Sequence, residues 1–472
     1  MVLRKQEEPS SLLRDSQKLK QYFGTDGIRG IPNETLTKDL VSKIFSSVEL
    51  LLSPKSVAII LDTRSSSLEL LDWICAGLSE DVEVINYGVL PSGSMPVLLK
   101  EFNHDLGVIV SASHNPSQYN GIKLIDQNGS KLSDSREIEI EEAMSNIDLP
   151  KEFTISKESQ NGYQTYLEFL NNLINFDLSK FSVLLDAANG SSYKIIEELF
   201  KSNNAKYRII SNNPDGENIN LNCGATHIDI LEQNSGKNEI GAAFDGDADR
   251  LILLDEEGNI CNGDVLILLI AKYLESTNQL NNKVVVSTVM ANYGFKNAMD
   301  KNNFKNIETK VGDKYVAEAM DENNASIGGE QSGHIIISEA LPVGDGLVTL
   351  IYCLKALAFF DTTLSKFKSE NIEEYPQKLV NLELTTMPEE NQIKELNKIA
   401  ENLSDKYDLD GRYLIRNSGT EPLLRVLIEA KDSHSVNEFS DELINNIKNL
   451  SLIHISEPTR PLYISYAVFC LK

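Results

Sequence analysis

The sequence predicts an α/β protein, with three α/β mixed-sheet domains followed by a smaller α+β C-terminal domain. Three observations carry this expectation. The chain has 472 residues, room for three or four domains at roughly 100–200 residues each. Short runs rich in Val and Ile alternate with amphipathic stretches through most of the chain, the pattern of helices layered on parallel or mixed sheets. After Tyr375-Pro376 the pattern changes to fewer, longer elements, which reads as a separate and smaller unit.

Strands are expected at 57–61, 82–85, 108–110, 183–185, 251–254 and 284–286, where apolar residues rich in Val, Ile and Leu run together. Helices are expected at 36–52, 68–78, 192–200, 265–274 and 315–320, on amphipathic stretches. In the last unit strands are expected at 379–384 and 424–428, and helices at 391–403 and 436–447. Seams are expected in the polar stretch 149–162, just after Arg250, and at 369–376. They divide the chain into domains at 17–150, 151–256, 257–370 and 371–450. The tail 451–472, SLIHISEPTRPLYISYAVFCLK, has no period that fits the preceding domain. It resembles the translated read-through of sequencing-adapter DNA and is expected to carry no function, the alternative being an apolar tail that docks on the protein.

Composition narrows the class. With 41% hydrophobic and 24% charged residues, the chain can build a sizeable core. A formal net charge of −26 repels nucleic acid and anionic membranes, so neither is expected as a partner. Of 44 Lys and Arg only 11 are Arg, and five of those, Arg29, Arg64, Arg250, Arg416 and Arg425, fall in the motifs below. Arginine grips phosphate oxygens in pairs, so this concentration points to anion sites on an otherwise acidic surface. Five dispersed cysteines, Cys75, Cys223, Cys261, Cys353 and Cys470, read as reduced thiols. The first 20 residues are polar and charged, and the longest apolar run, 347–360, is interrupted by Lys355 and too short to span a bilayer. A cytoplasmic location is expected.

Four segments carry chemistry. The first, DGDADR at 245–250, places Asp245, Asp247 and Asp249 at alternate positions after a strand-like run, so that all three face one way. Such a cluster repels itself unless a hard divalent cation with oxygen ligands fills it. An EF-hand is excluded, because Arg250 stands where that loop needs Gly and an apolar strand follows. A solvated acidic turn is the remaining alternative. The second segment, SASHNP at 111–116, ends a buried strand and exposes the hydroxyl of Ser113 beside His114. It lacks the GxSxG elbow of acyl hydrolases, and taken alone it better suits a capping serine and a turn histidine. Lys123, in the following strand, is a cation or proton donor by one reading and a surface lysine by the other. The third segment, RNSGTEP at 416–422 with Arg425, joins a Ser-Gly-Thr turn to two arginines, a nest for an anion or a plain hairpin turn. In the fourth, GGEQSGH at 328–334, Glu330, Ser332 and His334 suit sugar hydroxyls, although a glycine-bounded loop with a structural His reads the same way.

Together, and in this order, the segments resemble the α-D-phosphohexomutase superfamily. YFGTDGIRG at 22–30 resembles its N-terminal signature and DTRS at 62–65 its next characteristic turn. SASHNP resembles its phosphoserine loop, DGDADR its metal loop, GGEQSGH its sugar-binding loop and RNSGTEP its phosphate-binding loop. Within it, Gln331, the segments at 214–220 and 223–227, and VGDKY at 311–315 resemble the bacterial phosphoglucosamine mutase branch. Two departures are small: Ser92-Gly93-Ser94 follows Pro91 where a Thr-Pro pair is usual, and Ala248 stands where the metal loop more often has Gly.

The resemblance implies four domains around a central cleft and a Mg²⁺ ion on Asp245, Asp247 and Asp249 that bridges a phosphorylated Ser113. It implies transfer of that phosphoryl group to glucosamine 6-phosphate through a bisphosphate, giving glucosamine 1-phosphate for UDP-N-acetylglucosamine and cell-wall precursor synthesis. Arg29, Arg250, His114 and Lys123 would steady the group or move protons, with Lys123 as general acid/base. Glu330, Ser332 and His334 would hold the sugar. Arg416, Ser418, Gly419, Thr420 and Arg425 would hold the non-reacting phosphate. A sugar bisphosphate or a kinase would first load Ser113. The alternative within the family is a phosphomannomutase/phosphoglucomutase, and the oligomeric state is open, a homodimer included.

Overall fold

The computed structural model describes residues 20–383, 390–407, 409–417 and 423–449. Ser418, Gly419, Thr420 and the tail 451–472 therefore lie outside the described residues.

Four sheets follow one another along the chain. The first has six strands in the order Ile28–Gly30, Asn120–Asp126, Leu106–Val110, Ser56–Leu61, Glu83–Val89 and Lys157–Glu158. Its centre is parallel, and Asn120–Asp126 runs antiparallel to both neighbours. Its edge strand Lys157–Glu158 lies inside the polar stretch 149–162 expected as a seam, past the domain end expected at residue 150. The second sheet joins Ile260–Cys261, Leu251–Leu254, Ile240–Phe244, Ser182–Asp186 and Lys206–Ile210, with a hairpin between Ile240–Phe244 and Leu251–Leu254. The third orders Lys305–Thr309, Val284–Thr288, Ile327–Gly329 and Ile335–Ile337. The fourth is antiparallel throughout, Gln377–Glu383, Leu423–Ala430 and Gly411–Asn417, with the helices Glu390–Tyr407 and Ser433–Asn449 packed against it.

Local chemistry sets these elements. The helix Lys38–Leu52 starts where the Thr37 hydroxyl accepts the Leu40 N–H, and it buries Val41, Ile44, Phe45 and Val48 at helical spacing. Asn262 and Asp345 cap Gly263–Ser276 and Gly346–Phe360 in the same way. The apolar run at 347–360 is a core helix, and among the described residues no single helix is long and apolar enough to cross a membrane. One continuous apolar core joins the first three sheets, including Ile60, Val183, Phe244, Val265 and Leu350. The last domain has its own core around Leu396, Val426 and Phe439. Three domains thus form one block and the fourth is attached to it, so strand ends from different domains meet at the block's inner seam.

Candidate active site

At the end of the strand Leu106–Val110 the chain turns sharply, and Ser113 takes a left-handed backbone with φ of 51°. A non-glycine residue holds that conformation only where its surroundings enforce it. Here the Ser113 N–H donates to the Ser111 hydroxyl at 2.9 Å. The Ser113 carbonyl accepts from Asn220 Nδ2 at 2.9 Å and from Arg64 Nη2 at 3.2 Å. Arg64 is paired with Asp62, both side chains fully buried. Gly246 completes the fit, because a Cβ there would lie 2.6 Å from the Ser113 carbonyl oxygen.

The hairpin after Ile240–Phe244 brings the metal-loop aspartates to this serine. The Ser113 hydroxyl donates to Asp245 Oδ2 at 2.7 Å. Asp245, Asp247 and Asp249 each offer an oxygen within 4.8 Å of the others, and all three are buried. Burial, then the charges of Asp249 and Asp247, push the Asp245 carboxyl well above the usual carboxylate range. Asp247 Oδ1 and Asp249 Oδ1 are buried with no hydrogen-bond donor. Orphaned oxygens in a self-repelling carboxylate cluster suit a hard divalent cation, so the residues present fit the metal implied by the sequence. Ala248, at the place where glycine is more usual, has φ of 58°, a conformation glycine adopts without strain.

Lys123 Nζ lies 2.9 Å from Asp247, 3.1 Å from Asp249 and 3.0 Å from Asp26. Burial opposes its charge, but Asp247, Asp26 and Asp249 outweigh that and hold its pKa well above the ordinary lysine value. It is a captured ammonium, not a surface lysine. His114 Nδ1 is 3.2 Å from the Ser113 hydroxyl. Burial, then the charges of Arg250 and Arg29, push its pKa down to about 2, so the ring is neutral. Arg250 Nε lies 4.0 Å from Asp245 and 3.9 Å from Asp249.

The sugar-loop candidates join the same site. Residues Arg250 and His334 form an antiparallel bridge, and His334 Nε2 stands 4.0 Å from Asp249 and 3.5 Å from Asp313. Glu330 is buried and accepts the Gly312 N–H at 3.0 Å, while Ser332 is half-buried. A cavity of about 570 Å³ opens at the seam of the first and third domains, and its wall includes Lys123, Asp249, His334, Lys131 and Asp313. In the last domain Arg416 and Arg425 stand directly opposite each other on the ladder. Burial, then the charge of Arg425, lowers the Arg416 pKa. Like charges across a ladder repel, and an anion between them would offset that.

The sequence reading missed three residues. Asp26 pairs with Arg29, Lys123 and Lys131. Against the cost of burial, Lys123, Lys131 and Arg29 hold its carboxyl well below the usual range. Ser92, noted only as a departure, donates its hydroxyl to Asp247 Oδ2 at 2.8 Å and its N–H to the Asp247 carbonyl at 2.9 Å. Asn220 holds the serine turn across a domain seam. Asp26 and Asn220 lay inside quoted motifs, but nothing in their spacing says what they touch.

Matches to known proteins identify the family. The family models for phosphoglucomutase/phosphomannomutase alpha/beta/alpha domains I, II and III match residues 20–151, 164–258 and 262–375, and that for the C-terminal domain matches 379–446. Together these matches cover most of the chain, which belongs to the phosphoglucomutase/phosphomannomutase family. A phosphoglucosamine mutase of Limosilactobacillus reuteri is 38% identical over 90% of this chain and 97% of its own length. One of Clostridium botulinum strain Kyoto is 40% identical over 91% and 99%. The fold matches a phosphoglucomutase/phosphomannomutase family protein from Burkholderia thailandensis at a TM-score of 0.72 and 22% identity, covering 90% of this chain and 97% of that one. It also matches Aspergillus fumigatus N-acetylphosphoglucosamine mutase, solved with GlcNAc-6P and magnesium, at 0.61 and 19% identity, covering 91% and 96%.

Proposed function

We propose that this chain is a phosphoglucosamine mutase that interconverts glucosamine 6-phosphate and glucosamine 1-phosphate, with Ser113 as the phosphate carrier. The observation that carries this is the 2.7 Å bond between the Ser113 hydroxyl and Asp245 inside a buried aspartate triad. A simple binding protein has no use for a serine so placed. The glucosamine assignment is supported by the phosphoglucosamine mutases that match nearly the whole chain.

Asp245, Asp247 and Asp249 would hold Mg²⁺, which supplies charge stabilisation for the transferring phosphoryl group. In the forward step the phosphoserine P–O bond breaks as a P–O bond forms to the free sugar hydroxyl, whose proton replaces the one that Lys123 gives to the departing Ser113 oxygen. The bisphosphate turns over, its other phosphate returns to Ser113, and glucosamine 1-phosphate leaves. Lys123, held as an ammonium, serves as charge and proton donor to the departing serine oxygen. Arg29 and Arg250 steady the phosphoryl oxygens, with neutral His114 beside the serine. Glu330, Ser332 and His334 hold the sugar, and Arg416 and Arg425, with Ser418, Gly419 and Thr420, hold the distal phosphate. A sugar bisphosphate is the proposed source of the first phosphate on Ser113, and the cytoplasm the proposed location.

Turnover of glucosamine, glucose and mannose 6-phosphates by the purified protein tests the substrate. We expect the highest kcat/KM for glucosamine 6-phosphate. A clear preference for mannose or glucose 6-phosphate would make the chain a phosphomannomutase or phosphoglucomutase instead.

A further inference from the structure

Gln331 lies within the sugar-binding motif, but its side chain is bound elsewhere. It is buried, and its Nε2 donates to Asp264 Oδ2 at 3.3 Å. Asp264 sits in the first turn of Gly263–Ser276, whose start is pressed onto the loop. The Gly263 N–H donates to the Gln331 carbonyl at 3.0 Å, and a Cβ on Gly263 would lie 2.0 Å from the Glu330 carbonyl oxygen. Asp264 Oδ2 also accepts the Asn292 N–H at 2.7 Å.

Asn292 caps Tyr293–Lys301 and in addition clasps the connection to the last domain. Its Oδ1 accepts the Tyr375 N–H at 3.0 Å, and its Nδ2 donates to the Tyr375 carbonyl at 2.9 Å and to Glu429 at 3.2 Å. Glu429 is fully buried on the central strand of the last sheet and pairs with Arg412. Arg412 donates in turn to the carbonyls of Val289 and Ala291. A continuous hydrogen-bonded chain, with the Asn292 backbone N–H as one link, thus runs from the sugar loop to the seat of the domain that carries Arg416 and Arg425.

We propose that Gln331, Asp264 and Asn292 are positioning residues that couple occupancy of the sugar-binding loop to the seating of the phosphate-binding domain. This inference rests on the mutase reading. A sugar phosphate must be gripped at both ends through a turnover in which the bisphosphate reorients. A buried chain bonded at every link has few alternative arrangements, so a shift at the loop is transmitted instead of absorbed. Gln331 then acts on substrate through Asp264 and not by touching the sugar.

A double-mutant cycle tests this. Gln331→Met removes the first link with a side chain of similar length, and Glu429→Gln weakens the last. With glucosamine 6-phosphate we expect each to raise KM about tenfold with a smaller change in kcat, and the double variant about tenfold too, where independent effects would multiply to about a hundredfold. Multiplying effects, or an unchanged KM in Gln331→Met, would overturn the coupling. If Glu429→Gln does not fold, amide exchange on wild type and Gln331→Met replaces the cycle. Substrate should protect 289–293 and 372–376 in the wild type but not in Gln331→Met, and equal protection in both would overturn the inference. Failure of the mutase reading itself is separate, since it appears as absent turnover by the wild type.

Discussion

Asp26 is where the positive charges of the site converge: Arg29, Lys123 and Lys131 all pair with it. In the proposed mechanism Asp26 would keep Lys123 in place when Asp247 and Asp249 hold a cation. Asp26→Asn should lower kcat by about 10²-fold through mispositioning, with a smaller effect on KM, as steady-state kinetics would show. An effect confined to KM would assign Asp26 to ground-state binding. Ser92 bonds Asp247, one of the proposed metal ligands, and Ser92→Ala should weaken Mg²⁺ binding about tenfold by calorimetric titration. Unchanged affinity would reduce Ser92 to a turn residue.

These residues mark how far the sequence could be read. Three aspartates at alternate positions announce a cation because spacing of two in an extended segment fixes a common direction. The Lys123 pairing, the Ser92 bond and the Asn220 clasp join residues more than a hundred positions apart, which no local period encodes. Ala248 was legible only as an exception, and the backbone explains why glycine is favoured there.

At the scale of elements, five of the six strands expected before residue 375 are covered by those at 56–61, 106–110, 182–186, 251–254 and 284–288, the sixth begins at Glu83 instead of Val82, and the short strand Ile335–Ile337 was not expected. The helix Asn161–Leu173 was not expected, because it begins inside the polar stretch read as a seam. The helix Gly263–Ser276 carries a titration that can be measured. Burial pushes the Asp264 carboxyl up to about 7, with Glu429 and Glu374 adding to the effect and the bonds from Asn292 and Gln331 opposing it. Between about pH 4 and 7 the folded state therefore keeps a proton that the unfolded chain has lost. This group's contribution to stability falls as pH rises through that window, by at most about 1.4 kcal/mol per unit. Denaturant unfolding of Asp264→Asn should show a shallower fall from pH 5 to 7 than the wild type. An identical slope would mean that Asp264 does not titrate there. The serine turn depends on the Arg64–Asp62 pair, and Arg64→Ala should destabilise the protein by about 3–5 kcal/mol in the same measurement, because it strands a buried carboxylate.

Across the whole molecule, charge is spent on the seams between domains. Lys131 joins Asp26 of the first domain to Asp313 of the third, and Lys314 of the third reaches Asp134 at 2.5 Å and Glu137 at 3.1 Å in the first. The acidic surface repels anions in general, while Arg416 and Arg425, opposite each other in the last domain, concentrate positive charge of the kind a sugar phosphate needs. The proposed mechanism turns on one chemical event at Ser113. Peptide mass spectrometry of the wild type, after turnover with glucosamine 6-phosphate and a catalytic amount of glucose 1,6-bisphosphate, tests it most directly. One phosphate on Ser113, with Ser113→Ala folded but inactive, is the expected result; sustained turnover with Ser113 unphosphorylated, or by Ser113→Ala, would contradict the account.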